Sequence, residues 1–238
     1  MEFKCQKFEL NHSNSSMKIG TDAIILSSCI AHNLKLINFE NILDVGTGCG
    51  IIALCMAQVF EKANITAIDI DENSIKQATD NFVHSTFTNR MNARCEYIQK
   101  FADTSQQKFD LIVSNPPFYT SCLKSPDKRR TNARHNDVLS LVDFVLSTSK
   151  LLKDNGYIAV ILPKKETMEL ISLFKQQDIY IKIIMDVFGK PESPVKRKIS
   201  IFCKTKNPII QPILQTIYVR DKNNEFTKDY KQYTADFL

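Results

Sequence analysis

The chain has 238 residues, 43% hydrophobic and 24% charged, with a formal net charge of +5. That balance suits one α/β domain with a sizeable buried core and excludes a low-complexity chain. No run approaches the roughly 18 apolar residues that span a bilayer, and residues 1–10 alternate charged and apolar types, unlike a secretory leader. A cytoplasmic protein with no membrane partner is the expectation. Seven scattered cysteines form no C-x-x-C pair, so buried reduced thiols are expected and no metal site.

In chain order, residues 1–40 contain Met17-Lys18-Ile19-Gly20-Thr21-Asp22 and then an apolar helix over 23–31. They are expected to form a cap segment on a cofactor site belonging to residues 41–238. From 41 to about 184, short apolar runs alternate with amphipathic stretches, the pattern of β-α units on a mostly parallel sheet. A strand over 42–45 runs into Gly46. The helix after the glycines is apolar nearly all round (Ile51, Ile52, Leu54, Cys55, Met56), which predicts deep burial. A strand over 65–70 precedes a helix capped by Asp71, with Ile75, Ala78 and Phe82 on one face. A weaker strand is placed at 95–98 and a strong one at 109–114, stopped by Asn115-Pro116-Pro117.

Residues 120–136 are polar and basic and read as a long loop. A helix over 138–152 shows Val138, Leu141, Val142, Val145 and Leu146 at helical spacing. A strand over 157–162 leads through Pro163 into a helix over 164–176. Strands at 180–187 and 198–204 can form a hairpin, with one more strand at 216–220. The expected fold is a Rossmann-like, mostly parallel seven-stranded sheet with a C-terminal antiparallel hairpin.

Asp44-Val45-Gly46-Thr47-Gly48-Cys49-Gly50 holds three of the six glycines within five residues, between a strand and a helix. Glycine there permits a tight turn and close approach of a ligand to the backbone. Asp69, at the end of the next strand, can accept hydrogen bonds from both hydroxyls of a ribose. G-x-G-x-G also serves dinucleotides. Asp44 just before the first glycine suits a ligand ammonium and would repel a pyrophosphate, which favours S-adenosylmethionine.

Asn115-Pro116-Pro117-Phe118 closes the fourth strand at the sheet edge where open α/β folds bind ligands. An amino group conjugated to a ring is a poor nucleophile because its lone pair is delocalised. The Asn115 side-chain oxygen and the Pro116 carbonyl can each accept one N–H bond and draw that nitrogen toward a pyramidal shape. Phe118 offers a face for a flipped base. Positioning is the main catalytic device in this reading, and no strong base is required.

With these motifs the chain resembles class I methyltransferases of the amino-methylating group marked by Asn-Pro-Pro-Phe/Tyr. More narrowly it is similar to the bacterial tRNA(Val) adenine-N6 methyltransferases, which modify the purine beside the anticodon. Residues 17–22, 44–50, 109–119, Ala133-Arg134-His135 and Leu162-Pro163 carry that resemblance. It implies cofactor contacts at Lys18, Gly20, Thr21, Asp22, Asp44, Gly46, Gly48, Gly50 and Asp69, and catalysis at Asn115 to Phe118. Where many class I members carry an acid after strand three, this chain reads Tyr97-Ile98-Gln99; the adenine contact falls either to the backbone near Ile98 or to Asp103.

Lys124, Lys128, Arg129, Arg130 and Arg134 follow the catalytic tetrad directly, and Lys196-Arg197-Lys198 form a second basic cluster. Both are candidates for phosphate contacts with an anticodon stem-loop, whose bases are already partly unstacked. A monomer is expected. Other amino acceptors (guanine N2 of rRNA, adenine of DNA, a protein glutamine) suit the same tetrad, and a non-catalytic cofactor-binding protein is the remaining alternative.

Overall fold

A computed structural model describes residues 2–12, 20–116, 139–208 and 211–238. Strands β1 (Glu2–Lys4) and β2 (Glu9–Asn11) pair as a small antiparallel ribbon. Helix α1 (Thr21–Leu34) precedes the main alternation: β3 (Asn41–Val45), α2 (Ile51–Val59), β4 (Asn64–Asp69), α3 (Glu72–Val83), β5 (Met91–Cys95), α4 (Ile98–Thr104) and β6 (Phe109–Ser114). After it come α5 (Leu141–Leu151), β7 (Leu152–Leu162), α6 (Lys164–Lys175), β8 (Ile179–Phe188), β9 (Val195–Lys204), β10 (Ile213–Tyr218) and α7 (Lys228–Tyr233). Among the described residues no helix is long and apolar enough to cross a membrane.

The sheet order is β10-β8-β9-β7-β6-β3-β4-β5. Only β9 runs antiparallel to its neighbours, so the expected hairpin is present as β8–β9. The sheet has eight strands: the seven expected and β10 (Ile213–Tyr218), which overlaps the further strand expected at 216–220 and adds in parallel to the outer side of β8. Side chains of β6 alternate between two cores, as the two-residue period of a strand requires. Leu111 and Val113 join α1 and α2 on one face, and Ile112 joins α4, α5 and α6 on the other. Both faces of the parallel strands are thereby covered, which is why β3 and β6 are apolar almost throughout.

Three local expectations are corrected. Strand β5 covers Met91–Cys95, and Ile98 opens a helix. This strand lies at the sheet edge and its residues are mostly exposed, so it carries little apolar signal. In α5 the buried stripe is Phe144, Val145, Thr148 and Leu151, while Val142 and Leu146 are 49% and 53% exposed. Its sequence has apolar residues on two overlapping faces, and only the packing partner selects between them. Asp103 pairs with Lys150 at 2.9 Å. Lys150 sits in the last turn of α5, just before β7 begins, so Asp103 lies at the amino edge of the sheet and away from the glycine loop.

Candidate active site

In a parallel sheet the carboxyl ends of neighbouring strands share one edge, and β4, β3 and β6 are consecutive there. Residues following them are therefore about 5 Å apart per strand step: Asp69, the loop from Gly46, and Asn115.

The loop is held from below by β4. Gly46 and Thr47 both donate their N–H groups to the Ile68 carbonyl, at 2.8 and 3.1 Å. Gly46, Gly48 and Gly50 have φ of 72°, 54° and 86°, the left-handed region that glycine occupies without strain. A Cβ on Gly46 would meet nothing within 4 Å among the described residues, which leaves that side of the turn open.

Gly50 has a different constraint. A Cβ there would lie 2.5 Å from Phe82 of α3, so glycine lets α2 begin against that ring. Gly50→Ala is expected to destabilise the protein by about 2–4 kcal/mol through the clash and the left-handed backbone. Urea unfolding checks this; a loss below about 0.5 kcal/mol would mean Phe82 yields freely.

Asp44 is fully buried at the end of β3. Its Oδ2 accepts bonds from Thr47 Oγ1 at 2.6 Å and from the Ala53 N–H at 3.1 Å, tying strand, loop and helix together. Its Oδ1 is buried without a hydrogen-bond partner among the described residues. Burial pushes the carboxyl up to about 7, against the pull of the Thr47 and Ala53 bonds, and the nearby Asp69 charge adds to the rise. A buried carboxylate with an open oxygen is costly unless something cationic or hydrogen-bonding meets it.

Asp69 Oδ2 accepts from the Gly48 N–H at 2.9 Å and Oδ1 from the Asp71 N–H at 3.0 Å. A carboxylate has about four acceptor sites, so each oxygen retains room for a hydroxyl. An open glycine turn, a hydroxyl acceptor and an orphaned buried carboxylate oxygen fit the glycine loop, ribose and ammonium requirements of S-adenosylmethionine.

The geometry has counterparts in known proteins. A family model described as "Methyltransferase small domain" matches residues 12–182. The chain belongs to that methyltransferase family. Proteins named tRNA1(Val) (adenine(37)-N6)-methyltransferase align along the full length. The one from Trichodesmium erythraeum is 35% identical over 238 residues, 99% of this chain and 97% of its own. The one from Flavobacterium psychrophilum is 33% identical over 235 residues, 99% and 98% of the two chains. Among solved structures, a predicted O-methyltransferase from Agrobacterium tumefaciens superposes with a TM-score of 0.67 at 14% identity, covering 90% of this chain and 96% of that one. S-adenosylmethionine is the methyl donor.

In this methyltransferase the expected residues do not all fall together. Asp44, Gly46, Gly48, Asp69, Asn115 and Pro116 meet along the carboxyl edge. Ile98 is the first residue of α4, with its side chain buried in the second core. Gly20, in extended conformation, caps α1, Thr21 is its first residue, and Asp22 in that turn pairs with Arg197 at 3.3 Å. Lys198 pairs with Asp186 across the hairpin. Lys18, Pro117, Phe118, Lys124, Lys128, Arg129, Arg130 and Arg134 lie outside the described residues.

Three polar side chains at the site went unread in the sequence. Thr47, three residues after Asp44, holds its carboxylate. Ser114 Oγ donates to the Val45 carbonyl at 2.7 Å in a buried bond that locks the end of the Asn115 strand to the start of the glycine loop. Asn81 on α3 donates from Nδ2 to the Cys49 carbonyl at 2.8 Å and to the Asn11 carbonyl at 2.9 Å, while Oδ1 accepts from the Asn11 N–H at 2.9 Å. It thus clasps the glycine loop and the N-terminal ribbon at once. Thr47 alone had a local signal, its spacing from Asp44.

Proposed function

We propose that the protein transfers a methyl group to the exocyclic N6 of an adenine in tRNA, at position 37 of tRNA(Val), acting as a cytoplasmic monomer on the anticodon stem-loop. In this reading residues 1–40 cap the cofactor site of a methyltransferase domain formed by 41–238. The observation that carries it is the adjacency of two features: Asn115-Pro116 leaves β6 one strand away from the glycine loop, and the Ser114–Val45 bond fixes that spacing. The names of the full-length relatives support the nucleic-acid acceptor.

S-adenosylmethionine, when bound, supplies a methyl group activated by its sulfonium. Asp44 holds the ammonium end of that cofactor with its free oxygen, Asp69 the ribose, and the loop from Gly46 gives close approach to the backbone. Asn115 and the Pro116 carbonyl orient the substrate amine by accepting its two N–H bonds, which restores the lone pair for attack. Base stacking is assigned from the sequence to Phe118, which lies outside the described residues. A carboxamide is no base, so the proton leaves to water once the nitrogen carries the extra bond and has become acidic. Orientation supplies the acceleration.

The test is mass spectrometry of tRNA nucleosides with and without the protein, together with methylation of tRNA(Val) transcripts by purified enzyme. Loss of N6-methyladenosine from one tRNA, and inactivity on a transcript with guanine at position 37, are the expected results. Methyl incorporation into guanine N2, DNA or a protein glutamine would overturn the acceptor.

A further inference from the structure

We propose that the β8–β9 hairpin and the start of α6 form a phosphate-binding arm for the RNA strand flanking the target base, with Lys164, Lys165, Lys190 and Lys196 as its contacts. The inference rests on the RNA-methylating reading above and assigns a second part of the surface to it.

Strand register puts these residues at the site. Ser114 lies level with Val160, Leu162 with Lys198, and Lys198 with Asp186. Past that level β7 has ended, while β8 and β9 continue paired to Phe188 and Val195. The hairpin therefore overhangs the carboxyl edge by about three residues, or about 10 Å. Its nearer strand, β9, stands two strands from β6, again about 10 Å, and so flanks the carboxyl edge that carries Asn115. Lys164 and Lys165 begin α6 directly after the end of β7, on the same edge and exposed.

The basic residues of this arm divide by partner. Arg197 is tied to Asp22 and Lys198 to Asp186, which braces the hairpin against α1 and across its own strands. Lys164, Lys165, Lys190 and Lys196 are exposed and make no ion pair among the described residues. Lys196 lies across Gly189, where its Nζ would be 3.2 Å from a Cβ, so its ammonium sits at the turn that carries Lys190. Of the acids nearby, Glu169 is exposed one turn on from Lys165, and two others are engaged or covered. Glu192 pairs with Lys222 at 3.1 Å, and Glu166 is 5% exposed. Uncompensated ammonium groups on a projecting hairpin beside a base-holding edge match a run of phosphates, which positions a strand without reading its sequence.

The test compares full-length wild type with Lys164→Glu/Lys165→Glu, Lys190→Glu/Lys196→Glu and a control, Lys35→Glu/Lys62→Glu. The control carries the same charge change at the amino edge of the sheet. Binding of tRNA(Val) transcript is followed across a salt series, with S-adenosylmethionine affinity as a folding check. Each arm variant is expected to bind tRNA at least tenfold more weakly, and the slope of log Kd on log salt should fall by about 1.5–2, as for two lost phosphate contacts. The control should change less than threefold. Arm variants that match the control, or a control that weakens as much as they do, overturn the proposal. Wild type that neither binds nor methylates tRNA sinks the RNA reading itself, a separate result.

Discussion

Asn115→Ala should lower kcat about 10³-fold while S-adenosylmethionine affinity stays within about tenfold. The asymmetry follows from position. Asn115 leaves β6 at the carboxyl edge, and the described contacts that shape the cofactor loop come from Asp44, Asp69, Ser114 and Asn81 instead. Ser114 keeps its bond to Val45 in the variant, so the strand end stays in place. What is lost is an oxygen that accepts an N–H of the substrate, an interaction that grows as the nitrogen pyramidalises. Single-turnover kinetics with tRNA, alongside calorimetric titration of the cofactor, separate the two effects. Undiminished turnover in the variant would end the assignment of Asn115.

A second large effect is expected at Asp44. Its carboxyl is pushed up to about 7 by burial, so near neutral pH the free protein is a mixture of protonated and ionised forms. The ammonium of S-adenosylmethionine needs the ionised form. Cofactor affinity should therefore rise with pH, by up to tenfold per unit below about 7, and level off above it. Asp44→Asn should weaken binding and remove the pH dependence. Stability of the free protein runs the other way. The folded value lies above the unfolded one of about 3.9, so the folded state holds the proton more tightly. This group's contribution is full below the unfolded value and is lost as pH climbs through the window to about 7. Equilibrium dialysis and urea unfolding from pH 5 to 8 measure both. A wild-type cofactor affinity flat across that range would remove Asp44 from ammonium binding.

Much of this molecule is written locally. The strand Phe109–Ser114 is apolar throughout and stopped by Asn115-Pro116, and Asp71 caps α3 by accepting from the Asn73 and Ser74 N–H groups. The glycines before α2, the acid ending β4 and the tetrad Asn115-Pro116-Pro117-Phe118 could each be recognised from neighbours in the chain, because turn chemistry and strand ends depend on residues a few positions apart. Their order along a parallel sheet then implies that they meet.

Tertiary structure decided what depends on partners far away in sequence. The short edge strand β5 exists by pairing with β4 and not by its own pattern. Helix α5 chose between two apolar faces only when packed. Ser114 and Val45 are 69 positions apart, Asn81 and Cys49 are 32 apart, and Arg197 and Asp22 are 175 apart. Such bonds leave no periodic trace, since a serine, an asparagine or an arginine reads as an ordinary polar residue until register brings an acceptor to it. The overhang of the β8–β9 hairpin is of the same kind. Strand lengths can be read from sequence, but how far one pair projects past its neighbours is set by register, which is fixed by the burial of both faces.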